Sequence, residues 1–195
     1  SLVGSEMCIR DRFMNKDDIR RRVRARKRLL TEDERREAAE KVFSRLEKLA
    51  AFALSDNILI YNSLPDELST RSFLDKWSTG KRFFLPRVNG LDLELLPFER
   101  TRMQMGAFRI EEPTGDDVTD PGCMEMIIVP AVAYDRSGNR VGRGKGYYDR
   151  LLARTSAFTV GVAYDFQLVD EIDTDEFDIP VDMVITETHT VVRRR

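Results

Sequence analysis

MIIVPAVAYDRSGNRVGRGKGYYDR, residues Met126 to Arg150, is the stretch on which the fold turns. Met126 to Tyr134 is the most apolar run in the chain and reads as a central strand. Asp135-Arg-Ser-Gly138 reads as a turn, because these residues bond back to their own backbone or supply unusual dihedrals. Gly142, Gly144 and Gly146 then alternate with Arg143 and Lys145, and Tyr148 to Arg154 reads as a helix. A strand, a glycine loop and a helix in that order suit an α/β domain, where ligands sit beyond the carboxyl ends of parallel strands.

The flanking sequence fits that class. Lys16 to Leu30 predicts a basic helix with Ile19, Val23, Arg26 and Leu30 along one stripe, and Lys16 and Arg20 one turn apart on a face. Thr31 with Glu34 forms a capping box, so a second helix starts near Glu32, with Val42, Leu46, Leu49 and Ala53 as its stripe and Phe43 alongside. Strands are expected at Asn57–Tyr61, Arg82–Pro86, Leu91–Phe98, Phe158–Tyr164, Val181–Thr186 and Thr190–Arg193, and a helix at Ser69–Trp77. Residues 99–122 are polar and turn-rich, with a turn at Asp120-Pro-Gly122. The expected fold is one three-layer α/β/α domain over residues 14–195, with a mostly parallel, Rossmann-like sheet.

Composition removes several function classes. The 195 residues suffice for one well-buried core, and 42% hydrophobic content is ordinary for a soluble protein. No run approaches the roughly 20 apolar residues of a membrane helix. A formal net charge of -2 makes the whole surface no magnet for nucleic acid, so any anion site must come from local clustering. Cys8 and Cys123 are far apart and form no CxxC pair, which argues against disulfides and zinc and suits a reducing cytosol. His189 is the one histidine, and no GxSxG elbow accompanies it. Residues 1–13, SLVGSEMCIRDRF, lack the apolar core of a signal peptide and read as a non-native leader before Met14.

The glycine run has the parts of a phosphate cradle. Without a Cβ the backbone can approach a phosphate closely, a helix start offers unpaired N–H groups, and Arg143 and Lys145 add charge-assisted hydrogen bonds. Its spacing is neither GxxxxGK[ST] nor GxGxxG. The bland alternative is a solvated surface loop.

Arg140-Val-Gly-Arg-Gly-Lys-Gly-Tyr-Tyr-Asp149 closely resembles the signature of the 5-formyltetrahydrofolate cyclo-ligases. Lys16-Asp-Asp-Ile-Arg20 resembles that family's amino-terminal KxxxR element, Ser63-Leu-Pro-Asp-Glu-Leu68 its folate-contacting segment, and Ile179-Pro-Val-Asp182 a late IPxD-type element. The resemblance implies a cytoplasmic, monomeric enzyme. It would use ATP and Mg²⁺ to convert 5-formyltetrahydrofolate, polyglutamylated or not, to 5,10-methenyltetrahydrofolate, ADP and phosphate. It implies triphosphate contacts at Lys16 and Arg20, and an ATP loop from Arg140 through Gly142, Arg143, Gly144, Lys145, Gly146 and Tyr147 to Tyr148. Arg143 to Tyr147 would also meet the folate, with Arg143 and Lys145 carrying the chemistry. Glu67 would hydrogen-bond the pterin, with Asn62 beside it, and Asp149 and Asp182 would hold Mg²⁺. Phe108 falls where the family often has Tyr or Trp; it can stack on the folate but donates no hydrogen bond.

Two other readings compete. A sugar-phosphate or coenzyme A ester enzyme of related fold explains the loop but not the two pairs Lys16 with Arg20 and Asp149 with Asp182. A nucleic-acid module would use Arg20, Arg21, Arg22, Arg24, Arg26, Lys27 and Arg28 of the first helix, yet that helix carries an apolar stripe and no interleaved aromatic platform.

Overall fold

The computed structural model describes residues 14–106 and 111–194; residues 1–13, expected above to be a leader, with Cys8, and Phe108 lie outside them. Helix α1 (Lys16–Leu29) starts where Asn15 accepts a hydrogen bond from the Asp18 N–H at 2.8 Å. It buries Ile19, Val23 and Lys27, so a lysine takes the inward place that the sequence pattern gave to Arg26. Helix α2 (Glu32–Glu47) opens on the expected capping box, with Thr31 accepting from the Glu34 N–H and Glu34 accepting from the Thr31 N–H. One helix was expected to continue through Ala53. Instead Leu49 is extended and a separate helix α3 (Ala50–Leu54) follows, which turns Phe52 inward against Phe73 and Trp77 at ring distances of 5.4 and 5.1 Å. Phe73 and Trp77 belong to α4 (Arg71–Trp77).

Seven strands form the main sheet: β1 (Asn57–Leu59), β2 (Arg82–Asn89), β3 (Asp92–Pro97), β6 (Met126–Val129), β9 (Phe158–Val162), β10 (Met183–Ile185) and β11 (Thr190–Val192), in the order β11-β10-β9-β6-β1-β2-β3. The pairings from β10 across to β2 are all parallel, while β11 and β3 close the two edges antiparallel. The sheet is thus mostly parallel, as the alternation of elements predicts. Side chains alternate between its faces. Ile58, Ile128 and Val160 pack under α2, α3 and α4, while Leu59, Ile127 and Val129 pack with Leu151 and Leu152 on the other face. These last two lie on α5 (Tyr147–Leu152), so helices cover both faces and the arrangement is three layers. Each such fully buried aliphatic chain contributes roughly 1.5–3 kcal/mol.

Two expectations fail locally. Met126–Tyr134 is not one strand, because Pro130 offers no N–H to continue the ladder and β6 stops at Val129. The chain leaves the sheet there, and β7 (Ala133–Tyr134) pairs antiparallel with β8 (Arg140–Val141) as a separate two-stranded ribbon. The polar stretch 99–122 also holds a small ribbon, β4 (Met103–Met105) with β5 (Glu111–Pro113), too short and too polar to show a period. Helix α1 lies against the β7–β8 ribbon, with Ile19 and Val23 packed on Ala133, Val141 and Ile172. Among the described residues, no helix is long and apolar enough to cross a membrane.

Candidate active site

From β1 the chain steps to β2 on one side of the sheet, and then returns to β6 on the other. A strand order that reverses in this way leaves a crevice at the carboxyl ends of the two strands, where α/β folds bind ligands. A cleft of about 420 Å³ occupies that place, lined by Tyr61 and Asn62 after β1, by Pro130 to Val132 after β6, and by α1 and the glycine loop.

The loop follows a strand ribbon and not the central strand itself. Gly144 and Gly146 have φ of 92° and 66°, left-handed values that explain two of its glycines. Gly146 caps α5 without a side-chain bond, and α5 has only six residues, so its dipole is a small part of any anion affinity. The charged side chains matter more. Arg150 clamps the loop by donating from Nε to the Leu91 carbonyl at 2.8 Å and from Nη2 to the Lys145 carbonyl at 2.9 Å. Lys145 itself is exposed at the cleft edge, and its ammonium makes no ion pair among the described residues.

Arg140, expected to meet ATP, lines the cleft but is already engaged. Its side chain is 5% exposed, Nη2 lies 2.6 Å from Asp149 Oδ1, and Nη1 donates to the Ile179 carbonyl. Arg140 therefore holds the base of the loop. Arg143 reaches across the cleft, with Nη2 at 3.1 Å from both Asp66 Oδ1 and Glu67 Oε1. Although burial opposes its charge, Glu67 and Asp66 raise its pKa above the ordinary arginine value. Arg20 ties α1 to the loop through Nε, which donates to the Gly142 carbonyl at 2.9 Å.

Lys16 does not join Arg20 at the cleft. It turns to Asp178, 2.5 Å away, and to Asp175 at 3.5 Å. Burial opposes its charge, but hydrogen bonding to Asp178 raises its pKa overall. The two proposed metal ligands are also set apart. Asp149 lines the cleft and accepts from Ile179 N–H at 3.1 Å, whereas Asp182 is not among the lining residues. Asp182 sits before β10 and accepts from the Thr159 N–H and hydroxyl, each at 3.0 Å, tying β9 to β10. No group of three or more His, Cys, Asp or Glu suited to a metal occurs among the described residues.

Glu67 and Asn62 do lie in the cleft. Glu67 Oε2 accepts from the Leu64 N–H at 3.0 Å, which orients its other oxygen to Arg143, and Asn62 Nδ2 donates to the Glu111 carbonyl at 2.8 Å. Tyr147 and Tyr148 line the cleft, as do Gly142 and Gly146, while Gly144 turns outward and does not. The Tyr148 hydroxyl is buried and has no hydrogen-bond partner among the described residues. Burial raises its pKa well above the usual phenol value, with Glu67 adding to the effect, so it stays protonated and able to donate. Lys27 and Asp66 also line the cleft. The sequence gives neither a role in the cleft: Lys27 stands only in the basic run of the nucleic-acid reading, and Asp66 only within the segment Ser63–Leu68 that resembles a folate-contacting element. The signal for Lys27 was its place four residues after Val23, on the inward stripe.

The family model for the 5-formyltetrahydrofolate cyclo-ligase family matches residues 12–187. The chain is 30% identical over 174 residues to the 5-formyltetrahydrofolate cyclo-ligase of Escherichia coli (strain K12), covering 84% of this chain and 96% of that one. It is 30% identical to the cyclo-ligase of Mus musculus, covering 88% of this chain and 93% of the other. Among solved structures, the Aquifex aeolicus 5,10-methenyltetrahydrofolate synthetase is similar with a TM-score of 0.85 and 37% identity, over 93% of this chain and 94% of that one.

Proposed function

The chain belongs to the 5-formyltetrahydrofolate cyclo-ligase family of enzymes, and from that premise we propose that its cleft converts 5-formyltetrahydrofolate to 5,10-methenyltetrahydrofolate with ATP and Mg²⁺. The observation that carries this reading is the pairing of a cationic loop, Arg143 and Lys145, with an acidic wall, Asp66 and Glu67, across a crevice at the sheet's switch point. One wall suits phosphates and the other suits the polar edge of a pterin.

The formyl oxygen attacks the γ-phosphorus, and the bond to the bridging oxygen breaks to release ADP. The formyl carbon, now bearing a phosphate ester, accepts N10, which gives up its proton to the departing phosphate as the bond from carbon to the phosphate oxygen breaks. These steps need alignment and charge neutralisation more than a strong base. Arg143 and Lys145 supply the charge, Glu67 orients the pterin, and Tyr148 offers an unused buried donor. Mg²⁺ neutralises the transferring phosphate when bound. Asp149 fits such an ion: Arg140 and Ile179 use its Oδ1, leaving the second oxygen of a hard carboxylate beside the loop. Asp182 remains a candidate only if it leaves Thr159.

A second cleft of about 930 Å³ opens between α2 and α4, sharing Asn62, Leu64 and Glu67 with the first. Its lining sets Arg35, Arg36, Arg71 and Lys76 against Glu32, Glu40, Glu47 and Glu67, and Lys76 is paired with Glu47 at 2.6 Å, so it offers no net positive path for an anionic glutamyl tail. We place the enzyme in the cytosol, where the exposed thiol of Cys123 stays reduced, and as a monomer, since one chain supplies both walls. The test is incubation of the purified chain with 5-formyltetrahydrofolate, ATP and Mg²⁺. The conjugated methenyl chromophore should grow only when all three are present; no chromophore from folded protein overturns the reading.

A further inference from the structure

Lys27 is the inward side chain of α1 that hydrophobic burial does not explain. Its side chain is 6% exposed, in line with Ile19 and Val23, yet its ammonium lies 3.3 Å from Asp66 Oδ2. The other oxygen of Asp66 takes Arg143 at 3.1 Å, and the same Arg143 nitrogen reaches Glu67 at 3.1 Å. Lys27, Asp66, Arg143 and Glu67 thus form one chain of alternating charge along the cleft wall. Burial lowers the pKa of Lys27, with Asp66 and Glu67 pushing the other way. Lys27 and Arg143 keep Asp66 below the usual carboxylate range despite burial.

Stability does not account for such a group. Burying the Lys27 ammonium costs desolvation, and Asp66, whose side chain is 48% exposed, is a partly solvated partner whose attraction offsets little of it. The chain of charges has a different consequence once Arg143 is wanted elsewhere. An incoming phosphate competes with Asp66 and Glu67 for that guanidinium. If Arg143 leaves, Asp66 still has Lys27, and Glu67 is freed to turn to another donor. Without Lys27, Asp66 would stand uncompensated and hold Arg143 back.

We infer that Lys27 and Asp66 are positioning residues that release Arg143 from the acidic wall of the cleft to the phosphates of the bound nucleotide. This rests on the function proposed above and adds two residues to it. Lys27→Met should raise KM for ATP about tenfold, the worth of one charge-assisted contact, while kcat moves little. Lys27→Arg, which keeps the charge, should stay near wild type. Adding Asp66→Asn to Lys27→Met should recover most of the loss, because the charge that retained Arg143 is gone. Asp66→Asn alone should bring KM for ATP below that of wild type. The inference is overturned by an unchanged KM in Lys27→Met, or by a double variant no better than Lys27→Met. Should Lys27→Met fail to fold, a KM in Asp66→Asn that is not below wild type overturns it equally. A wild-type protein that binds ATP but forms no methenyl product refutes the proposed reaction instead; the same variants then report through ATP dissociation constants by calorimetry. A wild type that binds no ATP overturns both.

Discussion

At the scale of single residues, the cleft is built from groups left partly unsatisfied. The Tyr148 hydroxyl is buried without a partner among the described residues, a state that costs about 1–3 kcal/mol until a ligand accepts its hydrogen bond. Tyr148→Phe should therefore stabilise the empty protein by about 1 kcal/mol in thermal melting and weaken ligand binding in calorimetry. A variant that loses stability and keeps its affinity would show that the hydroxyl is structural. Lys145 is exposed and makes no ion pair among the described residues, so Lys145→Ala should leave melting unchanged. Its turnover should fall by a factor of about 100, as when one preorganised contact to a transition state is removed. Asp149→Asn should raise the Mg²⁺ needed for half-maximal rate, with a stability loss from the weakened contact to Arg140. Asp182→Asn is expected to shift melting through Thr159 but not the Mg²⁺ demand; an equal shift in demand would put Asp182 on the metal. The glycine loop is legible in the sequence because glycine and charge in a tight spacing carry their own chemistry, whereas the segment 63–68 is legible only through the family resemblance. The partners were not. Lys16 and Arg20 share a helix face by spacing, yet one meets Asp178 and the other Gly142, and only the fold sets those distances.

At the scale of elements, local chemistry was readable and long-range competition was not. Thr31 and Glu34 announce the start of α2, and the reciprocal bonds are present. The amide and hydroxyl of Thr31 hold the Glu34 carboxyl below its usual pKa. A depressed carboxyl stabilises the fold above its unfolded value, near 4.3, and that part is lost as pH falls through the lower folded value. Thr31→Ala should lower stability at neutral pH by removing the cap, and its deficit against wild type should shrink on acidification below about pH 4. Denaturant titrations at both pH values would check this; a deficit that grows in acid would contradict the cap. Pro130 shows the opposite case. Its neighbours are apolar enough to continue β6, and the hydrophobic pattern alone runs on to Tyr134. The missing amide breaks the ladder, and the released residues find partners in Arg140 and Val141. That detour carries the glycine loop to the cleft. The short β4–β5 ribbon was illegible for a simpler reason, since three residues of mixed polarity have no measurable period.

At the scale of the whole molecule, α1 closes the cleft from outside the sheet. Its hold is apolar at Ile19 and Val23 and polar at the next position, where Arg20 binds the loop backbone. Ile19→Ala should cost about 2–5 kcal/mol and, by loosening Arg20 against Gly142, raise KM for ATP as well. Hydrogen exchange should then quicken in α1 and in residues 141–149 together; faster exchange in α1 alone would mean that the two are not coupled. The same docking has a consequence during synthesis. Ile19 and Val23 leave the ribosome before the surfaces that cover them, since Val141 is made about 120 residues later and Ile172 about 150 residues later. At ordinary translation rates, α1 waits on the order of ten seconds with its apolar stripe uncovered. Until those surfaces are made, nothing holds Arg20 against the Gly142 carbonyl, so the contact between α1 and the glycine loop forms only after the ribbon does.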